Sequence, residues 1–129
     1  THPGGSLGRR LLLSVKDEMI TQNLPFVNKN ETMKEVVLKM TESRLGLAVI
    51  GNEEKLEGII TDGDLRRSLL MSDDFTKIEI KDILNKSPMT AYENDNLQVA
   101  HERMKEARLQ SLVVRNNDKK IVGVIQIFK

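Results

Sequence analysis

The sequence predicts an α/β protein of the α+β type, in which two β-α-β-β-α repeats pack as one compact module with pseudo-two-fold symmetry. The main observation is a pattern that occurs twice: a Val/Ile-Lys-Asp opening, an amphipathic segment, and two short apolar runs on either side of a polar turn. A copy of about 60 residues is too small to bury much core alone, so the two copies should share one interior. Apolar strands also need cover on both faces, which places helices against the sheets.

The two copies align over three blocks of sequence. The opening Val15–Met19 matches Ile80–Leu84, 65 positions later. Four apolar positions match 64 positions later, where Met33, Val36, Met40 and Leu45 correspond to Leu97, Ala100, Met104 and Leu109. The offset returns to 65 where Gly58–Ile60 matches Gly123–Ile125. A drift of one residue between blocks is typical of insertions in turns, because loops tolerate length changes that packed elements do not.

The first copy begins with a helix and a β-hairpin. Residues Thr32–Glu35 have the pattern of a capping box, and apolar residues follow at helical spacing, which predicts a helix to about Ser43. Residues 47–50 and 56–60 are short apolar runs separated by a polar turn. This arrangement predicts two antiparallel strands.

Beyond this hairpin, a second helix is expected from residue 62 to about residue 71, and residues 72–74 should connect it to the second copy. There, residues 94–96 supply N-caps for a helix that carries Leu97, Ala100, Met104 and Ala107. Apolar runs at 112–114 and 121–125 predict the second hairpin. A closing helix is visible only in the first copy.

Composition excludes several classes of protein. The chain has 20 Lys and Arg against 19 Asp and Glu, a formal net charge of +1, and only 3% aromatic residues. A nucleic-acid surface needs clustered basic charge and often stacking rings, so we expect no nucleic-acid partner. The absence of cysteine excludes disulfides and thiolate chemistry, and no apolar run approaches the roughly 20 residues of a membrane span. With no signal-peptide pattern either, we expect a cytoplasmic protein with no membrane partner.

The stretch Gly58–Leu65 carries the chemical content of the chain. A strand ends at Ile60, Thr61 can cap the next helix, and Asp64 lies in the first turn of that helix. One interpretation is structural, with Thr61 and Asp64 forming a Thr-x-x-Asp variant of the capping box. The other is functional: Asp62 and Asp64 would repel a bare phosphate, whereas Asp64 could accept from both hydroxyls of a ribose while Thr61 and backbone N–H groups lie nearer a phosphate. The pattern alone leaves both open.

The duplicated unit with Gly-Ile-Ile-Thr-Asp-Gly-Asp-Leu resembles a pair of CBS domains, the modules named after cystathionine β-synthase. Their pattern is Gly-φ-φ-Thr/Ser-x-x-Asp, where φ is apolar, and in that family the Thr and Asp contact the ribose and phosphate of adenine nucleotides or related ligands. By position these residues are Thr61 and Asp64. In the second copy Gln126 replaces the Thr and Lys129 replaces the Asp. Lys cannot accept from ribose hydroxyls, so the second ligand position is either degenerate or selects a more anionic ligand.

The first residues, Thr1–Leu12, are similar to the segment that joins the sugar-isomerase (SIS) domain to the CBS pair in bacterial arabinose-5-phosphate isomerases. The resemblance implies that residues 1–14 are the end of the SIS domain and a linker, residues 15–75 are the first CBS domain, and residues 76–129 are the second, with its closing helix missing. Those enzymes interconvert D-ribulose 5-phosphate and D-arabinose 5-phosphate on the way to Kdo, the sugar acid of lipopolysaccharide and some capsules. The family's catalytic His corresponds to His2, which would act only in the context of the SIS domain, since an imidazole is a suitable acid or base near neutral pH.

The resemblance implies a regulatory module that binds a nucleotide or nucleotide-sugar in clefts between its two copies, with AMP, ATP or CMP-Kdo as the effector and no required cofactor. The fragment itself would not be an enzyme, although the parent chain would be. Its partners would be its own SIS domain and further copies of itself in a homo-oligomer. The alternative is a ligand-free oligomerisation module of the same enzyme.

Other candidate residues have simpler explanations. Arg66 and Arg67 could neutralise a ligand phosphate, although a solvated basic pair is the default. His101, one turn beyond Leu97, is expected to be half-buried packing or a surface side chain. The methionines at positions 33, 40 and 104 fit core positions on helix faces. Neither a metal-binding spacing of Cys and His nor a recognised catalytic motif occurs in the sequence.

Overall fold

A computed structural model describes residues 12–127, which divide into two compact units. The central unit comprises residues 23–88, and the terminal unit comprises residues 12–22 together with 89–127. Each unit contains one three-stranded sheet with helices, as the α/β prediction requires. None of the helices within residues 12–127 is long and apolar enough to cross a bilayer.

The central unit is built on strands β1 (Phe26–Val27), β2 (Leu47–Gly51) and β3 (Leu56–Thr61), in that order across the sheet. Strand β1 runs parallel to β2, and β2 runs antiparallel to β3. The elements in chain order are β1 (Phe26–Val27), α1 (Met33–Ser43), β2 (Leu47–Gly51), β3 (Leu56–Thr61), α2 (Asp62–Ser68), a 3-10 helix (Phe75–Lys77) and α3 (Ile80–Ile83). The predicted first hairpin is therefore confirmed by β2 and β3.

The terminal unit repeats this arrangement with strands β4 (Thr90–Tyr92), β5 (Ser111–Arg115) and β6 (Ile121–Gln126). Strand β4 is parallel to β5, and β5 is antiparallel to β6. Its elements are a 3-10 helix (Val15–Asp17), β4 (Thr90–Tyr92), α4 (Leu97–Ala107), β5 (Ser111–Arg115) and β6 (Ile121–Gln126). The second predicted hairpin is thus present as well.

The duplication read from the sequence is confirmed element by element. Helices α1 and α4 have 11 residues each and begin 64 positions apart, and their C-cap residues, Arg44 and Arg108, have left-handed φ angles of 59° and 56°. The β-bulge that follows Ile50 in β2 also recurs after Val114 in β5. Five residues separate β5 from β6 where four separate β2 from β3, so the return of the offset from 64 to 65 is an insertion in that turn.

The two long helices form where the sequence places caps and apolar faces. The Thr32 hydroxyl accepts from the Glu35 N–H at 3.3 Å, and the Asn96 side chain accepts from the Val99 N–H at 3.0 Å. Each cap satisfies an N–H group that has no partner within its helix. Most of the predicted apolar positions are buried: Met33, Val36 and Met40 in α1, and Leu97, Ala100 and Met104 in α4. Ala107, which the sequence pattern also includes, is exposed at the end of α4.

The openings of the two copies are exchanged between the compact units. Residues 15–20 belong to the terminal unit, where Ile20 pairs with Val124 of β6. Their repeat partners belong to the central unit, where Asn85 pairs with Ile59 of β3 through two N–H···O bonds of 3.0 Å. Each unit is consequently completed by the opening that precedes the other copy in sequence.

Helix α2 is shorter than expected. Its regular turns end at Ser68, and the chain continues to Met71 through bonds of the tighter i to i−3 type, such as Leu70 N–H to Arg67 C=O at 3.0 Å. The buried Ser68 hydroxyl donates to the Leu65 carbonyl at 2.6 Å, which competes with backbone bonding to that carbonyl. Because residues 69–71 are exposed, no packing compensates for the loss.

Candidate functional site

The candidate site lies where strand β3 ends and helix α2 begins. Ile60 is fully buried and anchors the end of the strand, so the next residue, Thr61, emerges at the edge of the sheet. The Thr61 hydroxyl accepts from the Asp64 N–H at 3.2 Å, and the Thr61 N–H donates to Asp64 Oδ2 at 2.9 Å. The reciprocal bonds of a capping box are therefore present, which confirms the structural interpretation of this motif.

The second oxygen of the Asp64 carboxylate contacts a basic side chain. Arg67 Nη2 donates to Asp64 Oδ1 at 2.7 Å, a charge-assisted bond between residues one turn apart. The Arg67 side chain is 70% exposed and the Asp64 side chain is 21% exposed. The carboxylate is thus oriented by the backbone on one oxygen and covered by a guanidinium on the other.

Gly46 lies beside the start of α2, and sequence analysis did not single it out. Its carbonyl accepts from the Asp62 N–H at 3.1 Å, which joins the start of β2 to the start of α2. Its φ of +74° is left-handed, and a Cβ at this position would lie 3.5 Å from Asp62 Oδ2. A glycine between a helix end and a strand is the only sequence signal for this turn.

The charges of α2 follow the direction of the helix dipole. Asp62 and Asp64 lie in its first turn, and Arg66 and Arg67 lie in its last. This order is electrostatically favourable, because the N-terminal end of a helix carries partial positive charge. The same two carboxylates make the helix start unsuitable for a bare phosphate and suitable for a ligand that donates hydrogen bonds.

The corresponding position of the second copy has different chemistry. Gln126 ends β6 opposite Ser111, as Thr61 ends β3 opposite Leu47. Gln126 Nε2 lies 3.5 Å from Ser111 Oγ, so the amide faces the neighbouring strand. Two further predicted site residues, His2 and Lys129, lie outside the described residues. Within residues 12–127, Thr61 and Asp64 are brought together and Gln126 belongs to the other unit.

The remaining candidate residues are packing or surface groups. His101 on α4 is half-buried, as expected, and its Nε2 is buried without a hydrogen-bond partner among the described residues. The methionines at positions 33, 40 and 104 are buried in the hydrophobic cores, which confirms their predicted role. Across residues 12–127, the acidic and histidine side chains form no group of three or more that could hold a metal ion.

Asp17 is the one described group whose pKa is clearly displaced. Its carboxylate accepts from the Ser14 N–H at 2.8 Å and from the Ser14 hydroxyl at 3.0 Å. The backbone bond first, and the hydroxyl bond second, lower the pKa of Asp17 below its usual value of 3.8. This capping box stabilises the opening of the terminal unit and does not take part in the candidate site.

Proteins of known sequence that resemble the chain match nearly all of it. It is 41% identical over 126 residues to a probable arabinose 5-phosphate isomerase of Haemophilus influenzae, with 97% of this chain and 37% of the relative covered. It is 38% identical over 128 residues to the arabinose 5-phosphate isomerase KpsF of Escherichia coli, with 98% and 39% covered. The chain therefore spans less than two fifths of the length of these relatives.

Solved structures with similar folds include CBS proteins. The CBS domain pair of protein MJ0100, in complex with 5′-methylthioadenosine and S-adenosyl-L-methionine, superposes with a TM-score of 0.76 at 22% identity, covering 88% of this chain and 89% of that chain. The CBS domain protein PAE2072 from Pyrobaculum aerophilum, complexed with AMP, superposes with a TM-score of 0.77 at 24% identity, covering 88% and 87%. At these identities the likeness supports the fold.

The family model of the CBS domain matches residues 15–71 and again residues 80–127. The two matches together cover most of the chain, one for each copy of the repeat. The protein therefore belongs to the CBS domain family and carries two CBS domains in tandem.

Proposed function

We propose that the chain is the regulatory CBS pair of an arabinose 5-phosphate isomerase and that it binds a nucleotide or nucleotide-sugar through Thr61 and Asp64. The similarity to isomerases of Haemophilus influenzae and Escherichia coli over 97% and 98% of the chain supports the first part. Because the chain covers only 37% and 39% of those relatives, the sugar-isomerase chemistry belongs to the rest of the parent protein. His2 is the residue that we assign to that catalytic domain as an acid or base.

The observation that carries the ligand proposal is the oriented carboxylate of Asp64. Thr61 N–H holds Oδ2 at 2.9 Å, which leaves Oδ1 directed away from the capping box. An ionised carboxylate only accepts hydrogen bonds, so it suits a ligand with adjacent hydroxyl donors. The ligands named for the two similar structures, AMP, 5′-methylthioadenosine and S-adenosyl-L-methionine, all contain a ribose with two adjacent hydroxyls.

The two copies of the repeat support one diol-binding position and not two. Thr61 and Asp64 supply a hydroxyl and a carboxylate, whereas Gln126 and Lys129 supply an amide and an ammonium group. An ammonium group donates and does not accept, so the second position suits a phosphate or another anion. For the first position we propose AMP, ATP or CMP-Kdo, each of which contains a ribose with two adjacent hydroxyls. CMP-Kdo would act as a feedback signal from the end of the same pathway.

Regulation would work through linkage between two sites. A ligand that binds one arrangement of the CBS pair more tightly than another shifts the population towards the first. The segment at residues 4–10 would pass that bias to the catalytic domain, and the coupling would be reciprocal, because the substrate would change effector affinity by the same factor.

The test is isothermal titration of the 129-residue chain with AMP, ATP, CMP and CMP-Kdo. Wild-type protein should bind at least one of them, and at 100 times the Kd that ligand should stabilise the fold by about 2.7 kcal/mol. Asp64→Asn keeps one oxygen to accept from Thr61 N–H and replaces the other with an NH₂ group. Affinity should then fall by about 10- to 100-fold, because a hydrogen bond to a charged group contributes about 1.5–3 kcal/mol.

Asp62→Asn is the matched control, since it removes the same charge from the same exposed turn and leaves the Asp64 carboxylate in place. It should change the affinity by less than about threefold. Equal losses in the two variants would mean that general negative charge, and not the Asp64 acceptor, attracts the ligand. No binding of any compound by the wild type would end the regulatory proposal.

A second candidate function is assembly, and a specific observation favours it. Leu69, Leu70 and Met71 follow α2 in sequence and are 59%, 88% and 61% exposed. Consecutive large apolar side chains on a surface are typical of contacts with another chain. In analytical ultracentrifugation, Leu70→Glu should reduce any self-association of the wild type, with Lys77→Glu as a surface control. An unchanged sedimentation coefficient in Leu70→Glu would argue against this surface.

A further inference from the structure

We propose that Arg67 makes the Asp64 position selective for ligands that carry a phosphate in addition to a diol. The inference depends on the proposed function, because it concerns how the same site discriminates among its ligands. In this view the ion pair between Arg67 and Asp64 is exchanged on binding. The ligand hydroxyls take over the carboxylate, and the ligand phosphate takes over the guanidinium.

The two oxygens of the Asp64 carboxylate have different hydrogen-bond donors. Oδ2 of Asp64 accepts from the Thr61 N–H at 2.9 Å and is committed to the start of α2. Oδ1 accepts from Arg67 Nη2 at 2.7 Å. The oxygen best placed to receive a ligand hydroxyl is therefore the one that the Arg67 guanidinium contacts.

The Arg67 guanidinium reaches that oxygen by passing close to Gly63. Arg67 folds back over Gly63, where a Cβ would lie 3.2 Å from Nη1, 3.4 Å from Nη2 and 3.6 Å from Cζ. The first of these separations is tighter than an ordinary contact, so a Cβ at position 63 would require the guanidinium to shift by a few tenths of an ångström. The absence of a Cβ at Gly63 thus lets Arg67 lie close against Asp64.

The ion pair between Arg67 and Asp64 contributes only a small free energy. The Arg67 side chain is 70% exposed, and exposed ion pairs contribute little because water and salt screen them. The pair can therefore open at a small cost in free energy, but a ligand that opens it must still offer new hydrogen-bond partners to both the carboxylate and the guanidinium. A nucleoside satisfies only the carboxylate, whereas a nucleotide can also offer the guanidinium a phosphate with matching bidentate geometry.

A purely structural role predicts something different. An Asp and an Arg three residues apart on a helix form a pair that stabilises the helix by a small amount. If that were its only role, removal of Arg67 would alter the melting temperature slightly. It would leave the preference for a phosphorylated ligand unchanged.

The experiment compares AMP with adenosine and CMP with cytidine by isothermal titration of the 129-residue chain. For the wild type we expect the phosphorylated member of the bound pair to have the lower Kd. In Arg67→Gln the ratio of the two Kd values should fall about fivefold, the upper end of what one charge pair contributes at an exposed site. Arg66→Gln is the matched control, because Arg66 is also exposed, carries the same charge and belongs to the same turn. It should leave the ratio within about twofold of the wild-type value.

A second variant tests the geometry without changing any charge. Gly63→Ala should displace the guanidinium and lower the same ratio in part, while circular dichroism and the melting temperature verify that the variant is folded. A ratio that stays within about twofold of the wild type in Arg67→Gln overturns the inference and leaves the proposed function standing. A wild type that binds neither nucleosides nor nucleotides overturns both.

Discussion

Gly58→Ala is expected to destabilise the central unit, because a Cβ at position 58 would run into Leu84 and Asn85, the residues that follow α3. A Cβ on Gly58 would overlap the Asn85 carbonyl oxygen and would lie 2.7 Å from Leu84 Cδ1 and 2.9 Å from Leu84 Cγ. Ordinary contacts at a Cβ are 3.4–4 Å, so the backbone at Asn85 must move away. Rotation of the Leu84 side chain cannot relieve the overlap with the backbone oxygen.

The magnitude follows from what that movement disturbs. Asn85 exchanges two backbone hydrogen bonds of 3.0 Å with Ile59, and each contributes about 0.5–1.5 kcal/mol. Overpacking of a filled interior costs about 1–3 kcal/mol in addition. We therefore expect the free energy of unfolding to fall by about 2–6 kcal/mol, the upper part of the range for single substitutions.

Urea denaturation followed by circular dichroism measures this change, and native-state hydrogen exchange at the Ile59 amide locates it. Gly63→Ala is the matched control, because its new Cβ would meet only the flexible end of Arg67. The control should change the stability by less than about 1 kcal/mol. If Gly58→Ala unfolds at the urea concentration of the wild type, the close packing of Asn85 against β3 is refuted.

Two further changes test the caps and the one displaced pKa. Thr32→Ala removes the acceptor for the Glu35 N–H and should cost about 1 kcal/mol in urea denaturation, whereas Thr41→Ala on the exposed face of the same helix should not destabilise, so equal losses would argue against the cap. The lowered pKa of Asp17 means that its bonds to Ser14 stabilise the fold above the unfolded value of 3.8 and that this contribution is lost as the pH falls through the lower folded value. Asp17→Asn should therefore differ in stability from the wild type at pH 7 and converge with it in strong acid; a constant difference from pH 7 to pH 2 would contradict this account.

The sequence specified those elements that depend on near neighbours. The bounds of α1 followed from the Thr32 cap and the apolar spacing, and both hairpins followed from apolar runs around polar turns. The repeat was also readable, because the opening, the apolar helix positions and the Gly58–Ile60 run all recur 64 or 65 positions later. The Thr61 and Asp64 motif was found for the same reason, since its reciprocal bonds span three residues.

Features that depend on burial, on the direction of a side chain or on contacts between distant segments were not readable in this way. Helix α2 ends at Ser68 and not at Met71 because the Ser68 hydroxyl donates to the Leu65 carbonyl and residues 69–71 are exposed, and only the packed unit defines that exposure. Arg67 appeared as a solvated basic residue, and its contact with Asp64 depends on the direction of a flexible side chain over Gly63. Gly46 was overlooked because its carbonyl meets Asp62 only after β2 and β3 have paired.

By itself, the sequence determined that the chain is a duplicated α/β unit and that one copy carries a hydroxyl and a carboxylate at the start of a helix. Periodicity, caps and turns are local properties, so they survive in the order of the residues. Only the tertiary structure decided that each unit takes its opening from the other copy and that Asp64 faces a guanidinium. The first depends on which segments meet in space, and the second depends on the direction that a flexible side chain takes; packing and geometry decide both.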